Sequence, residues 1–324
     1  MNTPQLSMGI PTFSKEEPAS WKPLFERAHL LEEAGVDRLL VSDHVVFGED
    51  LDAYARPELG GAVGGVQPTG PDGLWLEPIT TLAVLTGVTT RIRLGTNILL
   101  AALRRPVVLA KSAATLDVLS EGRLDLGVGV GWQCAEYEAA GLDFHRRGHL
   151  LDHTLEVCQT LWRDRTASYE SDDLTFDRIH QQPKPCQAGG VPLWISGTVN
   201  PKVAHRIARF GSGWIPWGSD AADLTASLPR MQAALRGFGR DPDGLQVADQ
   251  LVVARQSNGE LDLDRTIATV GQRVAAGVTD FRIQMRLPDD HGQAADQLGE
   301  VVAAFRRATN TVQTEAQPQA TTGG

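Results

Sequence analysis

Residues 37–47 read DRLLVSDHVVF. The run Leu39, Leu40, Val41 has the apolar character of a buried strand, yet it closes on a charged Asp43-His44 pair rather than on Gly, Pro, Asn or Ser. Had the strand continued, these two side chains would point to opposite faces, so the pair marks a strand end whose purpose lies beyond packing. Seven other short β-like runs accompany it: LSMGI (6–10), RIRLGTNILL (91–100), RLDLGVGVG (123–131), VPLWISG (191–197), SGWIPWG (212–218), LQVADQLVVA (245–254) and TDFRIQM (279–285). Between them lie stretches with helical 3.6-residue periodicity, such as PLFERAHLLEEAGV (23–36) and PVVLAKSAATLDVLSEG (106–122), each closing on Gly at or near the helix end. Strand and helix in alternation predict parallel βα units. Eight such units in roughly 250 core residues predict an α/β fold of the (β/α)8 TIM barrel type, with insertion loops at its C-terminal face. The rival architecture, a doubly wound open sheet, is disfavoured because no G-x-G-x-x-G turn follows the first strand.

Composition excludes several function classes. The chain has 324 residues, is 42% hydrophobic and 22% charged, and has no apolar run near the eighteen or so residues of a membrane span. Its first residues, MNTPQLSMGIPTF, lack the basic start and continuous apolar core of a signal peptide, so a cytoplasmic location is the expectation. A net charge of -10, with five lysines against 25 arginines, disfavours nucleic acid as a partner. The three cysteines, Cys134, Cys158 and Cys186, lie far apart with no C-x-x-C spacing, which argues against disulfides and thiolate metal sites. A homodimer acting on a small-molecule substrate is the expected assembly.

In a barrel of this type the functional groups collect where strands end, at the C-terminal face. Asp43-His44 ends the second strand, Asn97 lies in the third, Gly131-Trp132 ends the fourth, Gly197-Thr198 the fifth and Trp217 the sixth. The segment 48–74 is rich in Gly and Pro and far longer than an ordinary βα loop, so it reads either as a lid over this rim or as a disordered insertion. Residues 163–190 form a second insertion. One domain is expected over residues 1–308, followed by a polar flexible tail, TNTVQTEAQPQATTGG (309–324).

Four stretches in order, VSDHVV (41–46), RIRLGTNIL (91–99), VLSEGRLDLGVGVGW (118–132) and ISGTVNPKVAHRIARFGSGWIP (195–216), give the chain a resemblance to the luciferase-like flavin and deazaflavin oxidoreductases over about residues 6 to 305. The resemblance implies a barrel whose C-terminal mouth holds a flavin-type cofactor: coenzyme F420 in the deazaflavin branch, with FMN as the alternative. It further implies that His44 lies beside the reactive ring carbon, that Asp43 helps to bind the cofactor, and that a cis peptide between Asn97 and Ile98 presses a bulge against the ring.

The residues themselves support these roles to different degrees. Hydride removal from an alcohol needs a base and double-bond reduction needs an acid, and histidine serves both near neutral pH. A hydrogen-bonded structural histidine is the plainer reading of His44. The glycines of GVGVGW (127–132) match no phosphate-loop spacing and read as a wall, with Gly131 and Trp132 making room for a flat ring. ISGTVNP precedes a helix, so backbone N–H groups at Gly197 and Thr198 suit a cofactor phosphate; capping of that helix by Asn200 accounts for the same pattern. Sugar-phosphate dehydrogenases of the resembled family carry a tryptophan after the S-D-H motif and a glutamate after the G-x-G. Here those places read Phe47-Gly48 and Trp132-Gln133, so neither that substrate nor that acid carries over. His145, His149 and His153 recur every fourth residue, but Leu150 stands where a metalloprotease has Glu, and no metal is expected. Neighbouring Arg146 and Arg147 suit either an anion or solvent.

Overall fold

The computed structural model describes residues 3–315. Eight parallel strands close into a barrel in chain order: β1 Gln5–Gly9, β2 Arg38–Val41, β3 Arg93–Thr96, β4 Leu124–Val128, β5 Leu193–Gly197, β6 Gly213–Pro216, β7 Gln246–Leu251 and β8 Asp280–Ile283. Each coincides with one of the eight expected runs. Closure is completed by β1 against β8, with Leu6 opposite Phe281.

The outer ring consists of α1 Lys22–Ala34, α2 Pro78–Thr86, α3 Pro106–Leu119, α4 Arg147–Arg163, α5 Pro201–Phe210, α6 Leu224–Gly237, α7 Val270–Ala276 and α8 His291–Glu315. Proline stands in the first turn of α1, α2, α3 and α5, where its fixed φ suits the helix and its missing N–H is no loss. Gly35 closes α1 at φ 86, a conformation that only glycine adopts freely. Helix α8 runs past residue 309 to Glu315; the rest of the expected tail, 316–324, lies outside the described residues. Among the described residues no helix is long and apolar enough to cross a membrane.

Inside, the barrel is charged as well as apolar. Arg38 donates to Asp125 (2.8 Å) and reaches Asp280 at 2.9 Å, while Arg282 donates to the other Asp280 oxygen (2.8 Å). Both guanidinium groups lie over the Trp194 ring, at 4.9 and 5.1 Å. Burial works against the Arg38 charge, but the facing Asp125 and Asp280 carboxylates more than offset this and raise its pKa. Above this layer Trp194, Ile215 and Ala248 form a small apolar floor on which Ile98 packs.

Two insertions interrupt the pattern. Residues 48–74 are folded rather than disordered: they make two short 3₁₀ turns, Leu51–Ala55 and Pro57–Leu59, and end in a strand Leu74–Trp75 that pairs with Phe13–Ser14. The second insertion contains a hairpin, Ala167–Glu170 with Thr175–Ile179, whose Tyr169 packs near His153 of α4.

Candidate active site

His44 follows β2 at the C-terminal mouth, with its side chain 10% exposed. Its Nδ1 lies 3.2 Å from Oε1 of Glu136, a buried carboxylate on the short helix Cys134–Ala139 that follows β4. The same oxygen accepts the Val45 N–H at 2.8 Å. The backbone donor and the imidazole therefore converge on one carboxylate, which holds the ring from behind. Around it stand Phe47 (4.4 Å between centroids), Trp75 (4.8 Å, edge-on) and Trp132 (6.0 Å). The imidazole thus sits in an aromatic enclosure with one nitrogen anchored.

Asp43 points the other way. Its side chain is fully buried; it accepts the Leu100 N–H (2.8 Å) and two bonds from Arg104 (2.6 and 3.1 Å). Burial disfavours the charge of Arg104, but its bonds to Asp43 and Glu77 raise its pKa overall. Both oxygens of Asp43 thus serve the protein, and what they fix is the segment leaving β3. In that segment the Asn97–Ile98 peptide is cis.

The glycines after β4 have a similar internal purpose. A Cβ at Gly127 would lie 2.1 Å from the Thr96 carbonyl oxygen, one at Gly129 would lie 2.8 Å from the Ile98 side chain, and one at Gly131 would lie 2.7 Å from Leu100. Alternate positions 127, 129 and 131 thus make room for 96, 98 and 100 of the neighbouring strand and its bulge. At Gly131 the neighbour that a side chain would displace is Leu100. Trp132, by contrast, faces His44 and Tyr54, and among the described residues its buried Nε1 has no hydrogen-bond partner.

Gly197 and Thr198 lie where β5 meets α5, as expected, but the segment is already well supplied with partners. Gly197 is left-handed at φ +153, and a Cβ there would meet Val203 at 2.7 Å. Asn200 caps α5 by accepting the Val203 N–H (3.0 Å) and donates to Thr198. The Val199 N–H donates to Asp220 at 2.6 Å. Asp220 thus takes the N–H that follows the expected pair, Gly197 and Thr198.

The segment 48–74 covers the rim. Trp217 donates from Nε1 to the carbonyls of Gly60 (3.0 Å) and Gly61 (3.1 Å), Arg147 donates to the Leu59 carbonyl (3.3 Å), and Gln133 bonds both Gly48 and Val46. Tyr54 from this cover lies 5.4 Å from Trp132, and burial raises its phenol pKa, keeping it neutral. Of the three evenly spaced histidines, His145 lies edge-on to Phe144, His149 bonds Asp173 on the second insertion, and His153 is buried beside Tyr169.

Sequence reasoning missed Glu136, because it sought a carboxylate at Gln133, directly after the glycines. The signal was available one helical turn on. It also missed Phe47 and Trp75 as walls, and Arg282, although Asp280-x-Arg282 on one strand places both side chains on one face.

A family model described as luciferase-like monooxygenase matches residues 6–317. The first curated relatives are uncharacterized mycobacterial proteins, for example one of Mycobacterium tuberculosis, 36% identical over 166 residues; the match covers 51% of this chain and 58% of the relative. An F420-dependent glucose-6-phosphate dehydrogenase of Mycolicibacterium gilvum is 28% identical over 254 residues, covering 76% of this chain and 68% of that enzyme. Among solved structures, an F420-dependent secondary alcohol dehydrogenase bound to an F420-acetone adduct superposes with a TM-score of 0.69 at 18% identity, over 94% of this chain and 99% of that one. The FMN-bound oxygenating constituent of a diketocamphane monooxygenase from Pseudomonas putida gives 0.69 at 13% identity, over 93% and 97%.

Proposed function

Because the chain belongs to the luciferase-like monooxygenase family of F420- or flavin-dependent oxidoreductases, we propose that it transfers a hydride between coenzyme F420 and a small organic substrate, with His44 as acid and base. The observation that carries this reading is the His44–Glu136 pair within its aromatic enclosure of Phe47, Trp75 and Trp132 at the barrel mouth. Named curated relatives that use F420 favour the deazaflavin over FMN.

The mouth fits a flat ring that bears oxygen acceptors. Trp132 offers a buried indole N–H with no protein partner, and Ile98 offers an apolar floor. At the phosphate end the Gly197 and Thr198 N–H groups would meet the anion, beside the Val199 N–H that Asp220 already holds. When bound, the cofactor supplies a two-electron hydride acceptor or donor.

Glu136 accepts from Nδ1 of His44, which leaves Nε2 as the nitrogen that exchanges a proton. In the oxidative direction His44 takes the hydroxyl proton at Nε2 as the hydride leaves the carbinol carbon, so the alcohol becomes a carbonyl compound. In the reverse direction it returns that proton. Phe47, Trp75 and Trp132 keep water from the imidazole, and Asp43 and Arg104 hold the bulge in place. Cytoplasmic location and a homodimer form part of the same proposal; exposed Val84, Val108 and Leu119 on α2 and α3 favour the latter.

The test is turnover with a panel of secondary alcohols, ketones and enones, following cofactor oxidation state. F420-coupled turnover that is independent of oxygen supports the proposal. Oxygen consumption with reduced FMN and none with F420 would replace it by a flavin monooxygenase.

A further inference from the structure

Arg282 lies inside the barrel, yet only part of its guanidinium serves the interior network. Nε donates to Asp280, an oxygen-rich centre that also takes Arg38 and the Ser7 hydroxyl. Nη1 instead reaches upward to Oδ1 of Asn97, at 2.7 Å. A guanidinium has donors only, so this bond fixes which way the Asn97 amide faces: the oxygen points into the barrel and the NH₂ points away from it. Asn97 is exposed, and among the described residues no protein acceptor meets its Nδ2. Its backbone is held independently, by its N–H to the Val41 carbonyl at 2.8 Å.

Charge gives this arrangement a direction. Arg38, Arg93 and Arg282 converge on two carboxylates, Asp125 and Asp280, so one guanidinium charge is left without its own counter-ion. Among the described residues Arg282 shares Asp280 with Arg38 and forms no second ion pair. A cation on Oδ1 draws electron density from the amide and makes its N–H groups better donors.

We infer that Arg282 and Asn97 form a relay in which Arg282 is a positioning residue and Asn97 Nδ2 is a specificity-determining donor to a ring oxygen of the bound flavin-type cofactor. This rests on the reading of the mouth as a cofactor site. The donor strengthens as its acceptor becomes more electron-rich, so it favours the reduced cofactor over the oxidised one.

The test is equilibrium titration of the full chain with oxidised and reduced F420, and with FMN, for wild type, Asn97→Asp, Asn97→Ala and Arg282→Gln, each checked for an unchanged melting profile. Asn97→Asp keeps an acceptor for Arg282 and deletes the donor; Asn97→Ala deletes both without adding charge. Both should weaken binding about tenfold, and more for the reduced form, as expected for one charge-assisted hydrogen bond. Arg282→Gln should show the same redox preference to a smaller extent. Affinities within twofold of wild type in both Asn97 variants would overturn the relay, as would a loss confined to Asn97→Asp, which is charge repulsion. A loss equal for both redox forms would reduce Asn97 to a structural role and also overturn it. Wild-type protein that binds neither cofactor would defeat the functional reading itself, and the donor's assignment with it.

Discussion

At the N-terminal end of the barrel Glu32 accepts N–H groups from Thr90, Arg91 and Ile92, Arg123 donates to Thr89 and to the carbonyls of Ser120 and Ile92, and Arg306 grips both oxygens of Asp37. At the C-terminal mouth the same kinds of group are only half engaged. Among the described residues Trp132 Nε1 meets no acceptor, the Asn97 amide is held by its oxygen alone, and His44 is anchored through Nδ1. One end closes its polar groups on each other and the other end aims them outward. That asymmetry is what a barrel with stability at one face and chemistry at the other requires.

His44 carries the largest expected effect. Replacement by Asn should lower turnover by about 10² to 10⁴, the usual share of general acid–base catalysis, with little change in cofactor affinity. Steady-state kinetics beside a binding titration separates the two; lost binding with intact turnover would make His44 a binding residue.

Glu32 tests the opposite end. Burial alone would raise its carboxyl pKa, but the N–H groups of Ile92, Arg91 and Thr90 bring it down to about 2. A depressed pKa stabilises the fold above the ordinary value near 4.5 and loses that contribution as pH falls toward about 2. Glu32→Gln should therefore cost about 3 kcal/mol at neutral pH, read from urea midpoints, without touching cofactor affinity. The gap between variant and wild type should narrow as the pH drops below about 4.5.

Glu136→Gln returns to the mouth with a smaller effect. Its amide oxygen can still accept the Val45 N–H, but the charged partner of His44 is gone. Turnover should fall by about 10- to 100-fold, the equivalent of one hydrogen bond to a charged group. Trp217→Phe is expected to be mildest. It removes the indole N–H shared by Gly60 and Gly61, so amide exchange over residues 50–61 should speed up about fivefold while the barrel strands stay protected.

The sequence made the barrel legible because each strand announces itself by an apolar run and each helix by its period, its proline start or its glycine end. The pair Asp43-His44 was visible for the same reason: charge at the end of a buried strand is anomalous. What could not be read was which way each residue faces. Asp43 and His44 are neighbours in sequence, but one turns inward to Arg104 and the other into the mouth. The glycines at 127, 129 and 131 looked like space for a ligand, and nothing in their spacing shows that each also lets 96, 98 or 100 of the neighbouring strand approach. Glu136 and Arg282 meet their partners across 92 and 185 residues, a separation no local pattern encodes.

Equilibrium binding of coenzyme F420 and of FMN to the purified wild-type protein under identical conditions decides which cofactor the mouth is built for. The account predicts that the deazaflavin binds tighter by at least about tenfold, a difference of about 1.4 kcal/mol. Equal affinities, or a preference for FMN, would contradict it.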